Sequence, residues 1–335
     1  MSVVTGIFRK NVISLFVLLI AIAVLAAGCG SSEAEQGSAE QNKDTSDSAG
    51  EESRTITHAL GTTEIKGTPK RIVTLYQGAN DAAVALGVKP VGIVESWAEQ
   101  PVYNYLKEDL DGVQIVGQET QPNLEEIAKL KPDLIIASKI RHEEVYEQLS
   151  AIAPTVAHET VFAFDETVEL MGQALGQEEK ANEIMDSWNE RVADFQVKIK
   201  EEMGDQWPQH VSVLNFRADH ARIYVTGFAG SILSELGFEG PKNLQDKSQD
   251  ILKLTDKESI AEMNADTFYI FMDSSDPAVV KNYEEWTNHP LWKNLDAVKA
   301  NRVYEVDEIV WNLGGGILAA NLMLDDIYNR FGLEK

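Results

Sequence analysis

Three cations stand just past apolar, β-branched runs. Lys139 and Arg141 follow Leu134-Ile135-Ile136-Ala137, and Arg217 follows Val211-Ser212-Val213-Leu214. A planar guanidinium pairs with two oxygens of one carboxylate or similar anion, so cations fixed at strand ends suit recognition of anionic oxygens. His220, Arg222 and Tyr224 lie close to Arg217; Arg222 either faces a ligand or pairs with Asp219. Aromatic side chains stand in comparable places. Trp97 follows Val91-Gly92-Ile93-Val94, where it either walls a cleft or seals a core edge. Tyr76 and Gln77 follow Arg71 to Leu75, and Trp311 and Asn312 precede Gly314-Gly315-Gly316, where backbone can approach a ligand closely.

Bond-making chemistry finds little support. There is no Gly-x-Ser-x-Gly elbow, no phosphate-cradling glycine loop with lysine, and the single cysteine is Cys29. The six histidines, His58, His142, His158, His210, His220 and His289, are scattered and lack His-x-x-x-His spacing, which argues against a bare metal site. Haem capture needs only one axial His, Met or Tyr, so it stays open. The residues point to binding, not catalysis, and no enzymatic cofactor is expected.

The elements that must hold these side chains alternate. Arg71–Leu75, Val91–Val94, Val113–Val116 and Leu134–Ala137 read as strands; Asn80–Leu86, Leu124–Leu130 (capped by Asn123) and His142–Leu149 read as helices. Such alternation means an α/β fold with mainly parallel sheets flanked by helices, whose ligands sit beyond the strands' carboxyl ends. Glu178 to Met203 runs without glycine or proline, with Ala181, Ile184, Met185, Trp188, Val192, Phe195 and Ile199 at helical spacing. At about 1.5 Å per residue that helix is roughly 39 Å long, a rigid link between two lobes. A second α/β region follows, with strands at Val211–Leu214, Phe268–Met272 and Arg302–Tyr304 and helices at Ser231–Leu236 and Ile317–Phe331. The expected division is 54–165 for the first lobe, 166–207 for the linking segment and 208–335 for the second lobe.

The two regions echo each other. Glu125 to Asp133 aligns without gaps on Glu258 to Asp266, with Glu, Ile, Ala and Asp identical at a constant offset and an apolar strand after each. Generic helix-to-strand chemistry can produce this pattern. The alternative is that each lobe offers an equivalent surface carboxylate, Glu125 and Glu258, suited to a two-fold partner bearing basic residues.

Net charge is -25, which excludes a nucleic-acid partner, although a cleft can be locally basic on an acidic chain. Residues 1–28 read as an export signal: Arg9 and Lys10, an uncharged apolar run from Val12 to Ala27, then Gly28 before Cys29. The ending resembles bacterial lipobox sequences, which implies that Cys29 is lipidated and anchors the protein to the outer face of the cell membrane. Residues 29–53, rich in Ser, Glu, Gln and Asp, would be a flexible acidic tether.

Taken in order, the lipobox, Thr68-Pro69-Lys70-Arg71-Ile72-Val73, Leu86-Gly87-Val88-Lys89-Pro90-Val91-Gly92, Pro122 to Ile127, Lys131 to Ile136 and the long helix resemble the iron-siderophore and cobalamin class of ABC-transporter substrate-binding proteins. The resemblance runs from about residue 54 to the C-terminus. Within the class, Ala137 to Glu143 and Trp311 to Gly316 are similar to lipoproteins for hydroxamate or citrate-based ferric siderophores. The resemblance implies two rigid lobes, joined by one long helix, around a shallow cleft as in class III periplasmic binding proteins. It implies a monomer that takes a ferric siderophore, citrate-hydroxamates such as schizokinen before trihydroxamates, with haem or cobalamin as the alternative cargo. It further implies docking of Glu125 and Glu258 onto arginines of a permease dimer, and a Gram-positive envelope.

Overall fold

The computed structural model describes residues 53–244 and 249–335. The signal segment, Cys29 and nearly all of the tether therefore lie outside the described residues. Ser53, assigned above to the tether, instead opens the hairpin Ser53–His58 with Gly61–Lys66. Among the described residues, no helix is long and apolar enough to cross a membrane.

The described strands form two larger sheets. The first runs in the order Gln121–Pro122, Gln114–Gln118, Gly92–Glu95, Ile72–Thr74, Leu134–Ser138, Thr155–His158. It is parallel apart from the short Gln121–Pro122 edge. Its central strands are buried on both faces, which is why they read as continuous apolar runs rather than alternating ones. The second sheet runs Ile251–Leu254, Ala221–Tyr224, Val211–Phe216, Thr267–Met272, Val303–Glu305. Here Ala221–Tyr224 pairs antiparallel with both of its neighbours, and the other pairs are parallel. The antiparallel part arises because the chain turns back tightly after Phe216, with the Arg217 N–H donating to the His220 carbonyl at 2.9 Å. A tight turn can only join antiparallel neighbours; parallel ones need a crossover.

Local chemistry explains the helices. The Asn123 side chain accepts from the backbone N–H groups of Glu125 and Glu126, starting Leu124–Leu130, and Lys131 at φ 47° ends it. Glu178–Met203 buries Ala181, Trp188, Val192, Phe195 and Ile199, a stripe at three-, four- and seven-residue spacing, and stops at Gly204 (φ 52°). Burial of a large apolar side chain contributes about 1.5–3 kcal/mol. This stripe packs into one core cluster with Leu134 and Ile136 of the first sheet and Val211 and Tyr269 of the second. The long helix thus touches the cores under both sheets.

The sequence echo has a structural counterpart. Asp133 accepts from the N–H groups of Lys70 and Arg71 at 2.9 and 2.8 Å, just before Ile72–Thr74. Asp266 accepts from the His210 N–H at 3.0 Å, just before Val211–Phe216. Each Asp N–H returns the bond to the same partner region, on Arg71 O and His210 O. The repeated aspartates clamp the start of equivalent strands, and the repeated Ile127 and Ile260 are fully buried beneath them. Glu125 and Glu258 are left exposed, each just after a capping residue, Asn123 and Asp256.

Candidate functional site

The carboxyl ends of both sheets open onto one cleft. Gln77 follows Ile72–Thr74, Trp97 follows Gly92–Glu95, Glu119 follows Gln114–Gln118, and Arg141 follows Leu134–Ser138. From the second sheet come Arg217, just past Val211–Phe216, and Arg222 and Tyr224 on the returning strand. Asn312, Leu313 and Gly315 close one side. The cavity measures about 330 Å³, and an adjoining hollow of about 600 Å³ shares Trp97, Arg217 and Leu313 with it.

Three guanidiniums therefore converge, and the protein partners them unequally. Arg141 Nε donates to Glu119 Oε1 at 3.0 Å, and Arg217 reaches Glu308 at 3.4 Å. Arg222 has no carboxylate within ion-pair distance among the described residues; its Nε donates to His220 Nε2 at 2.9 Å. The Nε of Arg217 is buried and has no hydrogen-bond partner among the described residues. A buried donor without an acceptor costs about 1–3 kcal/mol. Burial pushes the Glu308 carboxyl up, against the pull of Arg217, with Asp273 and Asp307 adding to the rise.

Supporting contacts fix the paired cations. Glu119 also accepts from the Gln77 N–H at 3.2 Å. Its carbonyl accepts from His142 Nε2 at 2.9 Å, while His142 Nδ1 accepts from the Ser138 N–H at 3.0 Å. Nδ1 also lies 3.1 Å from the Ser138 carbonyl, but burial is the larger influence and lowers the pKa to about 4, which leaves a neutral imidazole protonated on Nε2. Across the cleft, Tyr103 OH donates to Leu313 O at 3.2 Å. Gly78 and Gly315 line the floor where their backbones meet: a Cβ on Gly78 would lie 2.6 Å from Gly315 O, and Gly315 holds φ +65°. The triple glycine serves this close approach as well as the cleft surface.

Of the expected contact residues, Trp97, Arg141, Arg217, Arg222, Tyr224, Asn312 and Gln77 line the cavity. Trp97 is 46% exposed, so it walls the cleft and does not seal a core edge. Four others are corrected. Trp311 is fully buried, its ring tilted against Tyr269 and its indole N–H donating to Asp326, so the glycine run begins after a core residue. Tyr76 is fully buried with its hydroxyl on Thr167, because the first strand continues inward before the helix starts. Lys139 points to the surface and pairs with Glu159 at 2.8 Å. His220 is buried behind Arg222 and does not line the cavity.

The sequence reading missed the two carboxylates, Glu119 and Glu308. Glu119 follows a strand as Arg141 does, and that shared position was the available signal; among the chain's many acids it did not stand out. Among the described residues, no group of three or more His, Cys, Asp or Glu is placed to hold a metal ion.

Comparison with known proteins gives the same outline. The chain is 47% identical over 266 residues to the achromobactin-binding periplasmic protein of Dickeya dadantii, covering 79% of this chain and 87% of that protein. It is 43% identical over 333 residues to the probable siderophore-binding lipoprotein YfiY of Bacillus subtilis, covering 96% and 98%. Among solved structures, Staphylococcus aureus SirA complexed with staphyloferrin B superposes with a TM-score of 0.81 at 54% identity, over 84% of this chain and 99% of that one. The profile of the family described as periplasmic binding protein matches residues 72–310, and this chain belongs to that family.

Proposed function

We propose that this protein is the substrate-binding component of an ABC importer and captures an anionic ferric siderophore in the cleft between its two sheets. The observation that carries this reading is the convergence of Arg141, Arg217 and Arg222 from both sheets beside the half-exposed Trp97. Iron arrives already coordinated, so the protein needs donors for the chelate's outer oxygens and an apolar wall, not metal ligands. Three hydroxamates neutralise Fe(III), whereas a chelate carrying citrate carboxylates keeps negative charge. Three guanidiniums therefore favour citrate-hydroxamate and other carboxylate-bearing chelates over trihydroxamates.

The names of the relatives, an achromobactin-binding protein, a siderophore-binding lipoprotein and a complex with staphyloferrin B, support the same cargo class. Lipidation of Cys29 would hold the protein at the outer face of a Gram-positive membrane, with residues 29–52 as the tether. Acting as a monomer, it would present Glu125 and Glu258, exposed at equivalent capped turns, to basic residues of a permease dimer. The test is a competitive titration with ferric staphyloferrin B, ferric schizokinen, a ferric trihydroxamate and haem. Preference for the carboxylate-bearing chelates is the expected result, and binding of haem alone would overturn the reading.

A further inference from the structure

Arg141 and Arg217 are each held by a carboxylate, but Arg222 is held by an imidazole. An Arg Nε–H is a donor only, so His220 Nε2 must be bare to accept it at 2.9 Å. The ring proton then sits on Nδ1, which donates to Asp219 Oδ1 at 2.5 Å. The three side chains form a directed chain, Arg222 to His220 to Asp219. Its ends differ: the His220 side chain is 8% exposed, whereas Asp219 is 74% exposed, with Lys253 Nζ 3.9 Å from its other oxygen. The negative charge therefore stands in solvent, and a neutral ring stands between it and the cleft.

A carboxylate that holds an arginine also cancels much of its field; a neutral imidazole holds the side chain without doing so. We propose that His220 is a positioning residue that fixes Arg222 through its bare Nε2, so that this guanidinium presents an uncompensated charge to the anion in the cleft. The inference rests on the siderophore-binding reading. The backbone gives the ring a firm base: the His220 carbonyl accepts from the Arg217 N–H at 2.9 Å and from Asn282 Nδ2 at 3.0 Å. Arg222 itself is registered between Asn215 and Lys253 on the neighbouring strands.

The charged groups around the ring are Arg222, Asp219 and, through Asp219, Lys253, with the Arg217 backbone on the same turn.

The experiment has two arms. Long-range ¹H–¹⁵N correlation on the full chain without ligand should show His220 protonated on Nδ1 and a slowly exchanging Arg222 Nε–H. A His220 protonated on Nε2 at neutral pH overturns the proposal whatever the ligand. In the second arm, ferric staphyloferrin B is titrated into wild type, H220A, H220Q, R222A and the H220A/R222A double variant. The expected result is a roughly tenfold loss for H220A, with the double variant within about twofold of R222A alone, since His220 acts through Arg222. H220Q, whose amide oxygen replaces the Nε2 acceptor, should restore most of the affinity. Equal affinity of H220A and wild type, or losses that add in the double variant, would overturn it. Failure of wild type to bind this or any other ferric chelate would instead sink the cargo reading, with the ligand-free arm still deciding the role of His220.

Discussion

Arg141 Nε lies 3.0 Å from Glu119 Oε1, and the Glu119 side chain is only 3% exposed while that of Arg141 is 30% exposed. The pair is thus a buried acid leaning on a cation that reaches into the cleft. Removing the cation has two separable consequences. Arg141→Ala should weaken binding of a ferric carboxylate siderophore by about 1.5–3 kcal/mol, the range for charged hydrogen bonds. It should also destabilise the fold by roughly 1–3 kcal/mol, because Glu119 remains buried without its partner. Adding Glu119→Gln should recover much of the stability and none of the affinity. Urea denaturation and calorimetric titration of the single and double variants separate the two effects; recovery of affinity in the double variant would contradict direct contact.

Arg217 lines the cleft from the second sheet, and its Nε has no hydrogen-bond partner among the described residues. Arg217→Lys keeps the charge and removes the fork. Loss of about tenfold or more in affinity is expected, since a lysine cannot satisfy the same planar pair of oxygens. Unchanged binding by calorimetry would mean that charge alone matters there.

His142 ties acid pH to the stability of the Arg141 side of the cleft. Its folded-state pKa of about 4 lies below the unfolded value near 6.5. The neutral ring's contribution is fully present above about pH 6.5 and is lost as pH falls through about 4, a change of about 3 kcal/mol. Asp81 slopes the other way: burial raises it to about 7, so its contribution is present at low pH and lost as pH rises through about 7. The difference between wild type and His142→Gln, followed by denaturation between about pH 4 and 7, isolates the histidine. Parallel pH profiles would show that His142 is not the group responsible.

Asp81 joins chain segments far apart. It accepts from the N–H groups of Leu318 and Ala319 at 2.8 and 3.0 Å and from Tyr105 OH at 3.0 Å. It therefore caps the helix Ile317–Phe331 from the helix Gln77–Ala85 and packs against Gly316, next to the Gly315 that floors the cleft. Asp81→Ala leaves three buried or half-buried donors without this acceptor. A loss of roughly 2–5 kcal/mol in unfolding free energy is expected, with weaker ligand binding following from the loosened floor. Stability within about 0.5 kcal/mol of wild type would show that water replaces the carboxylate.

In the proposed function, docking onto a permease is separable from capture. Glu125→Ala with Glu258→Ala should leave ligand affinity unchanged and abolish uptake by cells, because both carboxylates are exposed and neither lines the cleft. Normal uptake by the double variant would remove them from the docking surface.

Much of this arrangement was legible in the chain. Glu178–Met203 and Ile317–Phe331 were readable to the residue because each carries a long apolar stripe and a clear stop. Leu124–Leu130 was equally plain from its Asn123 cap. The hairpin Ser53–His58 with Gly61–Lys66 was not, since its threonines and glutamate are mostly solvent-facing and carry a weak alternation. The strand Ala221–Tyr224 was hidden by the polar residues that make it useful, Arg222 among them. For the site, position after a strand located Arg141, Arg217 and Trp97. The same rule misplaced Tyr76 and Lys139, and the nearby glycine run misplaced Trp311, because one-residue differences in where a strand or helix turn ends decide whether a side chain faces the core, the surface or the cleft. The counter-charges Glu119 and Glu308 depend on contacts between segments distant in sequence, which no local pattern encodes.

The most direct measurement is fluorescence titration with ferric staphyloferrin B of the wild-type protein, W97F and a variant lacking all three cleft arginines. Trp97 is exposed at the cleft, whereas Trp188, Trp286, Trp292 and Trp311 are buried, so quenching by a bound ferric chelate should fall mainly on it. The expected result is saturable quenching in wild type, a greatly reduced signal in W97F with affinity kept within about tenfold by calorimetry, and no saturable binding in the arginine-free variant. Wild-type affinity in the arginine-free variant would contradict the central claim that these three cations hold the anion.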